Sequence, residues 1–383
     1  MARESHELSD ATLRLILAPG LGPITLKKLE QQFGSHDRAA SATIHELMQI
    51  EGIGNTTASS IRRAIDQAQP QQEREEMANA NARLILRGDD DYPVLLSAIP
   101  SPPMALWIRG ELKDTDRLSV GIVGSRRCTA YGREQAGRFA SLLAQCGLTI
   151  VSGGAVGIDG EAHRGALRVG GRTIVVMGCG LAKTYPPQHS ELFERIVSEG
   201  GALVSEYPMQ TEPKGGHFPH RNRIISGLSL GVLVIEAASR SGALITARQA
   251  ADDQGREAMA LPGRIDSPAS AGCLRAIQEG WAALVITHAD VLNQLDASSH
   301  LVRGALEAAG HESATSRATL FDTNLTAGQQ SIVDALREAD GHVVVEVLAA
   351  KTQLPLSQIQ ADLTLLQIRG NVHRDHQGVH LKR

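Results

Sequence analysis

The sequence predicts an α/β protein built on a doubly wound, mostly parallel sheet, with a small helical domain before it and a winged-helix domain after it. Three observations carry this expectation. From about Leu84 to Leu295, short β-branched runs alternate with helical stretches, the pattern of successive βαβ units. The runs are near-continuously apolar, which suits strands covered by helices on both faces rather than half-exposed antiparallel ones. The flanks differ in character: glycine-broken helical stretches precede this region, and three helical patterns with a terminal pair of short strands follow it.

Residues 1–70 are the expected first domain. Within them PGLGPITLKKL and IEGIGNTTASSI each place a GxG turn between helical stretches, with Lys27 and Lys28 after the first and Arg62 and Arg63 after the second. Such turns resemble helix-hairpin-helix motifs, which offer backbone amides and nearby cations to DNA phosphates. Tight connections in a sterile-alpha-motif-like domain are the alternative. The polar stretch AQPQQEREEMANANA reads as a boundary.

Residues 84–296 form the expected main domain. Its strands are SVGIV, TIVS, TIVVM, ALVSE, VLVIE, AMAL and ALVI. Between the first two, Ala136, Phe139, Ala140, Leu143 and Cys146 fall on one face of a helix that should pack on the sheet. Residues 297–325, rich in small and polar side chains, read as a linker. Residues 326–383 supply the helical patterns QQSIVDALREAD, VEVLAAKTQL and LSQIQADLTLLQIRGN, then two strands around a turn at Gln377 and Gly378. The third helix offers few base-reading side chains, Gln358, Gln360 and Arg369, so protein contact and DNA contact both remain open for this winged helix.

Composition narrows the function. The chain has 383 residues and a formal net charge of -4, so a nucleic-acid site must be a local patch rather than a positively coated surface. Aromatic residues make up only 3%, which leaves phosphate contacts to carry more of any single-strand affinity than ring stacking does. Cys128, Cys146, Cys179 and Cys273 lack metal-binding or redox spacing and read as buried or incidental thiols. No signal peptide and no apolar run of roughly 18 residues is visible, so no membrane insertion and a cytoplasmic location are expected.

In an open parallel sheet, ligands bind beyond the carboxyl ends of the strands. The loops there carry glycine together with cations: Gly124, Ser125, Arg126 and Arg127 after the first strand, Gly153, Gly154 and Gly157 after the second, Lys183 after the third. GGHFPHRNRIISGLS adds Phe218, Arg221, Asn222 and Arg223, and SRSGALIT opens another helix. Glycines let amides approach an anion, and helix amino termini favour negative charge, so phosphate is the expected guest. Arg221 and Arg223 could equally serve as partners of Glu206 and Glu236.

Other chemistries lack their residues. No GxGxxG follows the first strand, so a dinucleotide site is unsupported, and no GxxxxGK[ST] signals a nucleotide hydrolase. Asp159 reads as a helix cap. His163, His189, His217 and His220 have neither a nucleophile elbow nor an HExxH pair beside them, and read as satisfied surface or loop histidines. No catalytic residue, metal or cofactor is expected.

The ordered set GSRRCTAYG, SGGAVGIDGEAH, GCGLAKTYP, HFPHRNRIISGLS, EAASRSGALITA and LPGRI, led in by YPVLLSAIPSPPMALWIRGEL, closely resembles the DNA-processing protein A (Smf) family over Tyr92 to Leu295. The resemblance implies a Rossmann-like domain that binds single-stranded DNA, forms a homodimer, protects incoming DNA and loads the RecA recombinase in natural transformation. It places the DNA pocket on Gly124, Ser125, Arg126, Gly153, Gly154, Gly157, Lys183, Phe218, Arg221, Asn222 and Arg223. Phe218 is there a base-stacking side chain, or one packed on the sheet. The rival reading is a nucleotide-cleaving phosphoribohydrolase-like enzyme, whose PGGxGTxxE pattern SRSGALITA matches poorly. A structural or adaptor role without a ligand is the third, and the clustered arginines argue against it.

Overall fold

The computed structural model describes residues 9–297, 325–339, 342–368, 371–375 and 378–381. Apart from its two end residues, the expected linker lies outside the described residues, as do Arg369 and Gln377.

Helices α1 (Asp10–Leu17), α2 (Pro23–Phe33), α3 (His36–Ala40), α4 (Ile44–Leu47) and α5 (Asn55–Gln67) make the first unit. Local chemistry starts them: the Ser9 hydroxyl accepts from the Thr12 amide, and Thr43 and Glu46 form a capping box. Leu29, Leu47, Ile61 and Ile65 close a small core. The polar, helix-favouring stretch read as a boundary forms α6 (Pro70–Asn79), which packs against the sheet. Glu73 is the reason: its carboxylate is buried and accepts the Met209 amide at 2.8 Å.

Nine strands form the sheet: β1 (Ala82–Leu86), β2 (Ala105–Gly110), β3 (Ser119–Val123), β4 (Thr149–Ser152), β5 (Thr173–Val176), β6 (Ala202–Ser205), β7 (Gly231–Val234), β8 (Glu257–Ala260) and β9 (Ala283–Leu284). Their order is β1-β2-β6-β5-β4-β3-β7-β8-β9, with the β1–β2 and β2–β6 pairings antiparallel and the rest parallel. The seven expected strands are present and parallel. The antiparallel edge is additional: ARLIL and ALWIRG carry an arginine each within their apolar run, and β2 joins the sheet by pairing with the distant β6.

Helices α7 (Val94–Ser97), α8 (Ala130–Gln145), α9 (Ile158–Arg168), α10 (Ser190–Ser198), α11 (His217–Gly227), α12 (Gly242–Arg248), α13 (Ala271–Gln278) and α14 (His288–Ala297) cover the two faces. On one, Ile122, Ile150 and Leu233 meet Phe139, Ala140 and Leu143 of α8. On the other, Val123, Val151 and Val234 meet Ile224, Ile225 and Ala247. Alternation along each strand thus feeds two cores, which is why the strands read as unbroken apolar runs. Cys146 follows the end of α8 and is only partly buried.

After residue 325 come α15 (Ala327–Ala339), α16 (Val345–Thr352), α17 (Leu356–Ile368) and an antiparallel pair, β10 (Val372–Asp375) and β11 (Gly378–Leu381). Helix α17 lies along α14, and its Leu365 enters the core shared by Leu143 and Leu295. Among the described residues, no helix is long and apolar enough to cross a membrane.

Candidate nucleic-acid interface

The chain runs from β3 outward to β6, then returns to place β7 on the other side of β3. That reversal opens a crevice at the carboxyl edge of the sheet, between the loops after β3 and β7. Glu236 ties the two loops together. Its carbonyl accepts the Ser125 amide at 2.7 Å, and its buried carboxylate accepts the Thr129 amide and hydroxyl, each at 2.7 Å. Glu236 is therefore not a partner of Arg221 or Arg223.

The loop after β4 closes onto the loop after β3. At Gly157, φ is +88°, and a Cβ there would lie 2.4 Å from the Ser125 carbonyl oxygen, so only glycine fits. The Ser125 carbonyl then accepts the Ile158 amide at the start of α9. The first turn of α9 holds Asp159 and Glu161, so carboxylates already answer that helix's dipole. Asp159 is not the expected cap: Gly157 holds that position, while Asp159, inside the first turn, accepts the amide of Ala155 in the preceding loop, and burial drives its carboxyl up to about 6.

The cations divide into two kinds. Arg126 is exposed, and its guanidinium carbon stands 5.2 Å from the centroid of Phe218. Arg221 is buried beneath the same ring at 5.9 Å and donates to the carbonyls of Gly153 and Val176. A Cβ on Gly153 would meet both Arg221 and Asp159 at 2.8 Å, so glycine is required there by crowding. Arg223 is buried against Glu206 in a bidentate pair of 2.6 and 3.2 Å. The expected grip on phosphate by Arg221 and Arg223 is thus not presented at the surface: both guanidiniums are spent on protein partners, as the alternative reading for Arg223 anticipated. Asn222 lies half-buried between them.

Lys183 is half-exposed, with Nζ 2.8 Å from Glu212. Its loop is laid on the next one: the Gly180 amide donates to Thr211 and the Ala182 amide to Met209. Two residues on, Tyr185 brings its ring to 5.3 Å from Phe218. Phe218 also covers Gly178, where a Cβ would strike its ring at 2.7 Å. It therefore packs on the sheet edge, with Arg126 and Tyr185 beside its ring.

Two of the four histidines, His163 and His189, depart from the expected surface or loop placement. His163 is fully buried: Thr173 donates to the Ile150 carbonyl and so accepts from His163 Nδ1, leaving Nε2 without a partner. Burial pushes this imidazole down to about 3. His189 is also buried and donates from Nδ1 to the Gly154 carbonyl at 2.9 Å, pinning the glycine loop. His217 stacks on Tyr207 with centroids 4.3 Å apart, and His220 is exposed beside Glu206. Among the described residues, no cluster of histidine, cysteine and carboxylate could hold a metal ion.

Reading the sequence alone missed Tyr185, Glu212 and Glu73. Tyr185 had a signal, since it stands in GCGLAKTYP in a chain with four tyrosines. The two glutamates had none, because their partners are distant in sequence. In the first unit, Lys28 donates to the Glu51 carbonyl and Arg62 to the carbonyls of Ala40 and Ala42, so two of the four cations singled out there close turns.

Residues 83–296 match the model of DNA recombination-mediator protein A, and residues 15–72 match a helix-hairpin-helix motif, the first of the two readings of that unit. Protein Smf of Synechocystis sp. is 42% identical over 289 residues, covering 74% of this chain and 72% of that protein. The structure of DNA processing protein A from Streptococcus pneumoniae superposes with a TM-score of 0.65 at 34% identity, covering 75% of this chain and 98% of that one. That of DNA processing protein A from Helicobacter pylori, described for its single-stranded DNA binding mode, gives 0.50 at 30% identity, covering 56% and 95%. With more than half of its length matched in this way, the chain belongs to the DNA recombination-mediator protein A family.

Proposed function

We propose that this protein binds single-stranded DNA along the carboxyl edge of its central sheet, protects the strand, and loads RecA recombinase onto it during natural transformation. The reading rests on the exposed Arg126 guanidinium set over Phe218 at a topological switch point, where a phosphate and a base can be met together. The Helicobacter relative, described for its single-stranded DNA binding mode, supports the choice of ligand.

In this reading the site comprises Gly124, Ser125, Arg126, Gly153, Gly154, Gly157, Lys183, Phe218, Arg221, Asn222 and Arg223. Arg126 and Lys183 meet phosphates, Phe218 and Tyr185 offer ring faces, and the glycine loops let the backbone approach. Arg221 and Arg223 act from behind by holding the loops. The work is positioning and transfer, with no bond broken. Residues 1–70, 84–296 and 326–383 act as three domains joined through 297–325, the last a winged helix, and the central one pairs two copies into a homodimer in the cytoplasm.

Fluorescence anisotropy of a labelled oligothymidylate at two salt concentrations tests this. Salt-sensitive binding that Arg126→Ala and Lys183→Ala both weaken supports the central site. Undiminished binding by both variants moves the DNA to another domain, and release of base from nucleoside monophosphates revives the hydrolase.

A further inference from the structure

Many arginines of this protein are neutralised at home. Among the described residues, Arg62, Arg74, Arg109, Arg164, Arg172, Arg195, Arg223, Arg248, Arg264 and Arg275 each sit within ion-pair distance of a carboxylate. Arg138 on α8 and Arg168 on α9 break this habit. Both are exposed, neither forms an ion pair among the described residues, and both line a groove of about 1230 Å³ on the outer face of α8 and α9. Arg133, whose guanidinium donates to the Cys128 carbonyl, lines the same groove, and His288 and Gln360 close its far side.

Two features show that the cations are held together rather than scattered. A Cβ on Gly137 would stand 3.8 Å from both terminal nitrogens of Arg168, so the α9 side chain lies across α8. Arg138 is close enough to His288 to help hold that imidazole below its usual range, with burial the larger cause. Of the two carboxylates in the lining, Glu161 is engaged by Arg164, which leaves Glu134 against three guanidiniums. Helix α8 begins at Ala130, separated from Arg126 and Arg127 by two residues, so one short segment links the groove to the candidate DNA interface.

We propose that this groove is a second binding site for the phosphodiester backbone of single-stranded DNA, followed by the strand as it leaves the sheet edge. The inference rests on the DNA reading of that edge. It assigns Arg138 and Arg168 to phosphates beyond the first few nucleotides, without base contacts, because the lining offers guanidiniums and no phenylalanine, tyrosine or tryptophan ring.

The test compares an oligothymidylate of about 5 nucleotides, short enough for the edge alone, with one several times longer. The full chain carries Arg138→Gln with Arg168→Gln, or both positions as Lys. In the Gln pair, binding of the long oligomer weakens several-fold and the slope of log K against log salt falls by about 1.4, two contacts at roughly 0.7 each, while the short oligomer binds as before. The Lys pair retains long-oligomer affinity. Equal long-oligomer binding by wild type and the Gln pair overturns the proposal, as does an equal loss for both lengths. Loss of recombinase binding alone assigns the groove to a protein partner and overturns it too. If Arg126→Ala leaves short-oligomer binding intact, the edge reading fails, and that result is separate from any effect at the groove.

Discussion

Glu212 holds Lys183 at 2.8 Å, across the loop that brings this lysine to the sheet edge. An incoming phosphate must compete with that carboxylate. The pair is partly exposed, 32% at the lysine and 64% at the glutamate, so it is worth little by itself, roughly 0 to 1 kcal/mol. Glu212→Gln is therefore expected to tighten single-stranded DNA binding by up to about 5-fold at low salt, with the gain vanishing at high salt. Titration by anisotropy at both salt levels checks it, and weaker binding by the variant would mean that Glu212 positions Lys183 instead of competing for it.

Arg126 and Arg223 should respond to truncation in opposite ways. Arg126→Ala removes an exposed cation without a carboxylate partner, so the melting temperature should stay within a degree or two of the parent, as for ordinary surface changes. Its salt slope for DNA should drop by about 0.7, one phosphate contact. Arg223→Ala strands the buried Glu206 carboxylate and should cost about 3 to 5 kcal/mol of stability. Thermal denaturation and salt titration on the two variants separate these cases.

The contrast between those arginines marks where the sequence stops being legible. That cations and glycines converge on one sheet edge follows from βαβ alternation, because parallel strands deliver every following loop to the same side. Which cation faces water does not follow. Arg221 and Arg223 stand two apart in HFPHRNRIISG on α11, and both point inward because the neighbours that receive them, the Gly153 carbonyl and Glu206, come from other loops. The strands were readable since both faces of each are apolar. The β1–β2 edge and the docking of α6 were not, for these depend on pairing with β6 and on a buried Glu73 whose polar neighbours give no periodic signal.

Glu73 offers a test of communication between the helical unit and the DNA edge. Its carboxylate holds the Met209 amide, the Met209 carbonyl receives the Ala182 amide, and Lys183 comes next. Glu73→Ala leaves a buried amide without an acceptor, costing about 1 to 3 kcal/mol. The same change should loosen the 180–184 loop and weaken DNA binding more than an equally destabilising core change such as Phe139→Leu does. Glu73→Gln retains an acceptor oxygen and should restore most of both properties. Equal DNA affinity for Glu73→Ala and Phe139→Leu, at matched stability, would confine Glu73 to a packing role.

His163 gives the central domain a defined sensitivity to acid. The imidazole is held down to about 3 in the folded protein by burial, against an ordinary value of about 6.5 in the unfolded chain. Between these values the unfolded chain binds the additional proton, so stability rises with pH through this window and is fully present above it. Acidifying from pH 7 to 5 should cost about 2 kcal/mol through this group alone. Asp159 works in the opposite sense: burial lifts its carboxyl from its ordinary value of 3.8 to about 6, so its contribution favours folding at low pH and fades as pH rises through 6. The two partly cancel in the whole protein, which is why the difference between wild type and His163→Leu is the quantity to measure. Asp159 and the depressed His189 remain in both proteins and drop out of that difference. Urea denaturation at pH 7, 6 and 5 should show wild type losing about 2 kcal/mol relative to the variant across the range. A pH-independent difference would mean that His163 takes up its proton in the folded core as readily as in the unfolded chain, which its unpartnered Nε2 and complete burial argue against.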